Sequence, residues 1–134
     1  IALLAERLIH AIDWISQREE TRNFKIGLFG SSTGAGAALV AAAQKPELTG
    51  AVVSRGGRPD LAGSALEQVE APTLLIVGGR DVPVIELNRQ ALDRLHGIKK
   101  MEIVPGATHL FEEPGALETV AHFAREWFQR HLDG

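Results

Sequence analysis

Segments with apolar residues every three or four positions alternate along this chain with short, continuous apolar runs. The first pattern marks an amphipathic helix, and the second, bounded by turn residues, marks a buried strand. Residues 2–15 place Leu4, Leu8, Ile12 and Ile15 on one helical face. Residues 23–29 form a short apolar strand. Residues 35–43 are alanine-rich and helical, with Pro46 beyond their end. Residues 50–54 read as a buried strand. Ser64 and Glu67 have the capping-box spacing of a short helix. Residues 72–77 are the clearest strand, with proline tolerated at its first position. Pro83 suits the first turn of a helix carrying Val84, Leu87, Ala91 and Leu95 and closed by Gly97. Residues 100–104 are another strand. Pro114 opens the last helix, with Leu117, Val120, Ala124, Trp127 and Phe128 inward. This alternation predicts a single α/β domain over residues 1–134, a mostly parallel sheet with helices on both faces. No internal repeat, low-complexity segment or linker divides it.

Composition narrows the classes. The chain has 134 residues, 45% of them hydrophobic, enough for one core. Its net charge is −3 and its Lys and Arg residues are scattered, so no basic face argues for nucleic acid. It contains no cysteine, hence no disulfide framework and no thiolate metal site. This fits a reducing compartment, and a cytoplasmic location is expected. No apolar run has the length of a membrane span, and no signal peptide is visible. The chain begins with Ile1 instead of methionine, as expected of a fragment, a processed product or an ordered part of something longer.

The chemistry starts at the first strand–helix junction. Gly30, Ser31, Ser32, Thr33 and Gly34 spell G-x-S-x-G, the pattern of a nucleophile elbow. A sharp turn from strand into helix strains its central residue and leaves the Ser32 hydroxyl standing clear. The residues two away, Gly30 and Gly34, are expected to be small because chain and helix pass close to one another. The start of the following helix favours developing negative charge.

In an open parallel sheet, functional groups gather beyond the carboxyl ends of the strands. After the first strand comes Ser32, after the second Arg58 to Asp60, after the third Arg80 and Asp81, and after the fourth Thr108 and His109. Serine, carboxylate and histidine follow in that chain order, each on a loop at one rim. Serine is a weak nucleophile until a histidine takes its proton, and a buried carboxylate must hold the imidazole and stabilise its cation.

These residues resemble the C-terminal half of an α/β-hydrolase, most closely the dienelactone hydrolase family. Residues 27–36 resemble that family's elbow, residues 72–81 its acid loop and residues 105–111 its histidine loop. Residues 58–61 resemble a subgroup sometimes fused to a phosphoribosyltransferase domain. The resemblance implies Ser32 as nucleophile, Asp81 as acid and His109 as base, with the backbone N–H of Thr33 in the oxyanion hole. It implies a partial fold holding the last four strands. The neighbour of the first strand and the loop giving the second oxyanion donor are then expected upstream of Ile1. The family's name-giving enzyme carries cysteine at the elbow where this chain has Ser32. Its lactone specificity therefore does not carry over, whereas ester hydrolysis in general does.

Other polar residues have plainer readings. Ser31 is expected to help cap the helix. Asp60 is the rival acid, and a hydrogen bond within its own loop is its expected role. Asp81 could itself cap the helix entered through Pro83. His10, His96, His122 and His131 read as surface or dipole-complementing residues. Glu112 and Glu113 read as a solvated turn before Pro114. Trp14, Trp127 and Phe128 are expected in the core. No spacing suggests a metal site, and no cofactor is expected.

The expected function is a serine hydrolase acting on small esters, thioesters or lactones through an acyl-enzyme. The alternative is a hydrolase-derived binding module, inactive for want of its first half. A small-molecule ester or lactone is the expected partner, without nucleic acid or membrane. Homo-oligomer formation, or pairing with an upstream segment, is expected through the first strand.

Overall fold

The computed structural model describes residues 1–132. Helix α1 (Ala2–Gln17) precedes strand β1 (Ile26–Ser32), helix α2 (Thr33–Gln44) and strand β2 (Thr49–Gly57). A 3-10 segment (Pro59–Gln68) leads to strand β3 (Thr73–Gly78), helix α3 (Val82–Arg94), strand β4 (Lys99–Val104) and helix α4 (Ala116–Leu132). The strands form one sheet in the order β1-β2-β3-β4, every pair parallel. This is the parallel α/β architecture that the strand–helix alternation predicts.

Strand side chains alternate between faces, and the core divides accordingly. Leu28, Val52 and Leu75 point to one face and pack under α1, α2, the 3-10 segment and α3. Ala51, Val53, Leu74 and Ile76 point to the other and pack under α4 with Val104 and Phe111. Helix α2 meets the sheet through buried Ala35, Ala37, Ala38, Ala41 and Ala42 around Leu39. Short side chains let its backbone lie close to β1 and β2.

Several sequence expectations shift. Trp14 is 60% exposed, because α1 turns it outward, and the Arg18 guanidinium lies 4.6 Å from its ring. Leu4 and Leu117 are also exposed. Trp127 is buried as expected, and its indole N–H donates to the Pro72 carbonyl at 3.2 Å. The capping box at Ser64 does not form. A kink at Gly63 (φ 57°) breaks the segment there, and Glu67 instead pairs with Arg94 at 2.8 Å. Helix α3 ends at Arg94 with Leu95 extended, so Gly97 does not close it. Helix α4 starts at Ala116, after Gly115 at φ 83°, and Pro114 lies just outside it. Strand β2 continues through Arg55, Gly56 and Gly57, beyond the apolar run that marks it in the sequence.

Among the described residues, strand β1 is hydrogen-bonded on one side only, to β2. Beside it Phe29 is 51% exposed, and Leu4, Arg7, Leu8 and Ser31 line a groove of about 360 Å³. No helix of the described residues is long and apolar enough to cross a membrane.

The end of β3 lies hard against the loop that follows β4. A Cβ added to Gly78 would stand 2.4 Å from the Ala107 carbonyl oxygen and 2.8 Å from that of Thr108. Both are backbone atoms and cannot swing aside. Gly78→Ala is therefore expected to destabilise the fold by about 1–3 kcal/mol, as overpacking does. A urea titration measures this, and an unchanged midpoint would show that the loop is not held at that point.

Candidate active site

Strand β1 runs directly into α2, and Ser32 is the residue at which the direction changes. Its φ of 49° and ψ of −126° lie outside the ordinary regions for an L-residue. Such a conformation costs on the order of 1–3 kcal/mol and persists only where its surroundings impose it. Part of that imposition is visible: the Ser32 carbonyl accepts a hydrogen bond from the Arg58 amide at 2.9 Å. Thr33 opens α2, so its N–H belongs to the first-turn donors that a helix leaves unbonded.

The two flanking glycines are not equivalent. A Cβ on Gly30 would lie 2.6 Å from the Gly34 carbonyl oxygen and 2.8 Å from Ala35 Cα, so strand and helix touch backbone to backbone there. A Cβ on Gly34 would meet nothing within 4 Å, because that position opens onto the groove beside β1. The requirement for a small residue thus holds at Gly30 and, among the described residues, not at Gly34.

Asp81 follows β3 at the N-cap position of α3 but makes no capping bond with its side chain. Its Oδ2 instead lies 2.8 Å from His109 Nδ1. A carboxylate has no proton to give, so Nδ1–H is the donor. The other ring nitrogen, Nε2, is then free to accept, and it lies 3.1 Å from Ser32 Oγ. The Asp81 side chain is 14% exposed and that of His109 40%, so the acid is buried beneath a base that opens to solvent. Backbone bonds lock the acid and histidine loops together: Gly79 N donates to Val104 O at 2.8 Å, and Arg80 N to Ala107 O at 2.9 Å.

The remaining candidates sort cleanly. Both Asp60 carboxylate oxygens accept from Arg58, at 3.0 and 2.8 Å, and the Arg58 hydrogen bond holds its carboxyl below the usual range. Asp60 thus bonds within its own loop, as the sequence suggests. Ser31 does not cap α2: Ser32 holds the cap position, without a side-chain bond, and Ser31 faces the groove. His10 and His96 are exposed, and His122 pairs with Glu126 at 3.2 Å. His131 departs from its surface reading. Its ring packs at a tilt against that of Trp127, centroids 4.4 Å apart, its Nε2 is buried without a hydrogen-bond partner, and burial pushes its pKa down. Among the described residues no three His, Asp or Glu side chains are grouped to hold a metal ion.

Sequence reasoning misses two residues here. Asn88 is fully buried on α3, and its amide donates to Gly57 O at 3.2 Å and to Val84 O at 2.7 Å. It ties the helix behind Asp81 to the strand end paired with Ser32. Its only signal is a polar residue on an otherwise apolar helical face. Glu112 is exposed, as a solvated turn before Pro114 requires, but half-buried Glu113 is more than a solvated charge. Its carboxylate accepts from Thr108 N at 3.0 Å and Thr108 Oγ1 at 2.7 Å.

Four parallel strands with helices on both faces, a serine at a strained strand–helix turn, and an acid and a histidine on the next rim loops define an α/β-hydrolase fold. The chain belongs to the dienelactone hydrolase family, whose sequence profile matches residues 2–133. A dienelactone hydrolase from Anabaena variabilis superposes with a TM-score of 0.96 at 60% identity, over 98% of this chain and 61% of that one. Two strains of Mycobacterium tuberculosis hold a protein 58% identical over all of this chain, whose name gives it, provisionally, as a phosphoribosyl transferase. The chain spans about 30% of the length of those curated relatives. A monoacylglycerol lipase from Paleococcus ferrophilus shares the fold, with a TM-score of 0.73 at 19% identity over 92% of this chain and 74% of the lipase.

The glycine asymmetry gives a direct check. Gly30→Ala is expected to lose several kcal/mol of stability (on the order of 1–3 for overpacking alone) and to displace Ser32. Gly34→Ala is expected to leave the melting temperature at or slightly above the wild-type value, since a helix favours alanine over glycine by about 1 kcal/mol. Equal losses at both positions, seen by thermal unfolding, would mean that the helix start is crowded on both sides.

Proposed function

We propose that this chain carries the reacting groups of a serine hydrolase that cleaves small esters, thioesters or lactones through an acyl-enzyme. The supporting observation is the unbroken line from Ser32 Oγ through the His109 ring to the Asp81 carboxylate, at 3.1 and 2.8 Å. In this reading Ser32 Oγ attacks the acyl carbon while His109 Nε2 takes its proton. Asp81 stabilises the imidazolium that forms. The oxyanion of the tetrahedral intermediate meets the N–H of Thr33 at the start of α2. Collapse of that intermediate breaks the bond to the leaving alkoxide or thiolate, which receives the proton from His109. A water molecule, deprotonated by the same nitrogen, then attacks the acyl carbon; the bond to Ser32 Oγ breaks, His109 returns its proton to that oxygen, and the acid departs. No cofactor enters this scheme.

The name of the Mycobacterium tuberculosis relatives does not alter the proposal. This chain corresponds to 30% of them, and the serine–histidine–aspartate line in that part favours hydrolysis over phosphoribosyl transfer. The absence of cysteine fits a reducing compartment such as the cytoplasm.

The open edge of β1 favours a second component. A strand with unpaired backbone groups recruits another strand, from elsewhere in the same protein or from another copy. Residues 1–134 alone are expected to self-associate and to hydrolyse esters poorly, since one missing oxyanion donor costs about 10²–10³ in turnover. A longer protein that covers the edge is expected to be more active and to form a discrete species. Light scattering after size exclusion, beside an esterase assay, separates the cases. A fully active monomer of residues 1–134 would refute this account of the edge. A chain that stays monomeric and takes no fluorophosphonate label at Ser32 would favour a non-catalytic binding module.

Substitution tests the roles. Ser32→Ala is expected to abolish esterase activity, by about 10⁴-fold or more, while Ser31→Ala costs little. Asp81→Asn is expected to lower kcat by about 10⁴ through the wrong imidazole tautomer, and Asp60→Asn far less. Retained turnover of p-nitrophenyl acetate in Ser32→Ala would sink the nucleophile assignment, and the reverse ranking of the two aspartates would sink the acid.

A further inference from the structure

We infer that Glu113 is a positioning residue for His109, acting by clamping Thr108 and so fixing the loop that presents the imidazole. The inference rests on the proposed role of His109 but not on the identity of any substrate.

His109 stands on a loop whose two neighbouring anchor points are both visible. On its N-terminal side, Thr108 gives its backbone amide and its hydroxyl to the two oxygens of Glu113, at 3.0 and 2.7 Å. On its C-terminal side, Phe111 is buried in the core under α4 and holds a φ of 57°, a left-handed conformation that a bulky residue adopts only under constraint. Only Leu110 separates His109 from that anchor, and Leu110 itself is exposed. The ring therefore sits on a short bridge between two fixed posts. Phe111 N also donates to Thr108 O at 3.1 Å, which closes the bridge into a tight turn.

Glu113 is itself held. Its carbonyl oxygen accepts from Ala116 N at 3.0 Å, which couples the clamp to the start of α4. The Thr108 hydrogen bonds, with a smaller contribution from the charge of Arg80, keep its carboxyl below the ordinary glutamate range. It is thus ionised at neutral pH and can accept from both donors at once, and charge-assisted bonds are the stronger kind. By sign, a carboxylate with a depressed folded pKa makes its full contribution above its unfolded value and loses it as pH falls through the folded one.

The rest of the surroundings explains why a small displacement would matter. Gly56 packs against His109 so closely that an added Cβ would lie 3.2 Å from its carbonyl oxygen and 3.5 Å from its Nδ1. Gly78 confines Ala107 and Thr108 from beneath. Both ring nitrogens are engaged, so a shift of the loop breaks one bond or the other. Misplacement of a catalytic group by about 1 Å can cost on the order of 10²-fold in rate.

The test uses the protein with Glu113→Ala, Glu113→Gln, Thr108→Val and Thr108→Ser. Two signals are read: the split of esterase kinetics into kcat and KM, and the NMR resonances of the His109 ring followed with pH. Glu113→Ala is expected to lower kcat by on the order of 10²-fold with KM little changed, and to shift or broaden the His109 Nδ1–H resonance. Thr108→Val is expected to do the same to a lesser degree. Thr108→Ser, which keeps the hydroxyl, and Glu113→Gln, which can accept one bond, are expected to restore most of both. Should the protein hydrolyse no ester at all, movement of the His109 resonances in Glu113→Ala still supports the clamp while the hydrolase reading falls. Unmoved resonances in a folded Glu113→Ala protein, with kcat intact, overturn it. So does an unfolded Glu113→Ala paired with a Thr108→Val protein that keeps wild-type resonances.

Discussion

Parallel pairing of neighbouring strands is the constraint on which the site depends. β1, β2, β3 and β4 all point the same way, so their carboxyl ends fall along one rim and their loops can meet there. Gly78 and Val104 are register partners at the ends of β3 and β4, which brings the acid loop and the histidine loop level. Ser32 and Gly57 are partners at the ends of β1 and β2. Hydrogen bonds between loops then finish what the sheet starts, with Arg80 on Ala107 and Arg58 on Ser32. A slip of one residue in any ladder would turn the side chains of that strand to the wrong face.

Strain and close packing meet at the same places. The unusual backbone of Ser32 survives because β1 and α2 converge within one residue and because Gly30 lets them touch. The alanines of α2 extend that closeness along the helix. Phe111 repeats the device on the histidine side, with a left-handed backbone held by a fully buried ring. The serine turn and the histidine loop thus each hold a distorted residue, and the acid loop holds none.

Much of this was legible in the sequence, for a physical reason: local periodicity and turn chemistry mark elements whatever surrounds them. Every helix and strand of the sheet domain has its signature, and Ser32, Asp81 and His109 stand where strand ends predict. What escaped reading depends on distant partners. Trp14 looks like a core residue until the direction of α1 is known. Ser64 and Glu67 have capping spacing, but Arg94 of α3 competes for the glutamate. Glu113 looks solvated until Thr108 is seen to fold back over it. Asn88 has no assigned role in the sequence, and only the carbonyl of Gly57 beside it gives it one. Boundaries also moved, since β2 gains Thr49 at its start and Arg55, Gly56 and Gly57 at its end from hydrogen bonding to its neighbours rather than from apolar character.

The sequential strand order has a consequence for the path by which the chain folds. Each strand docks beside the one made just before it, but every pairing is parallel and must first close a crossover of about 15–20 residues, the kind of contact that forms slowly. The contact between Ser32 and His109 spans 77 positions and needs β4 in place. A partly folded chain therefore holds Ser32 with no histidine beside it. Its hydroxyl gains its partner only when the last strand has docked.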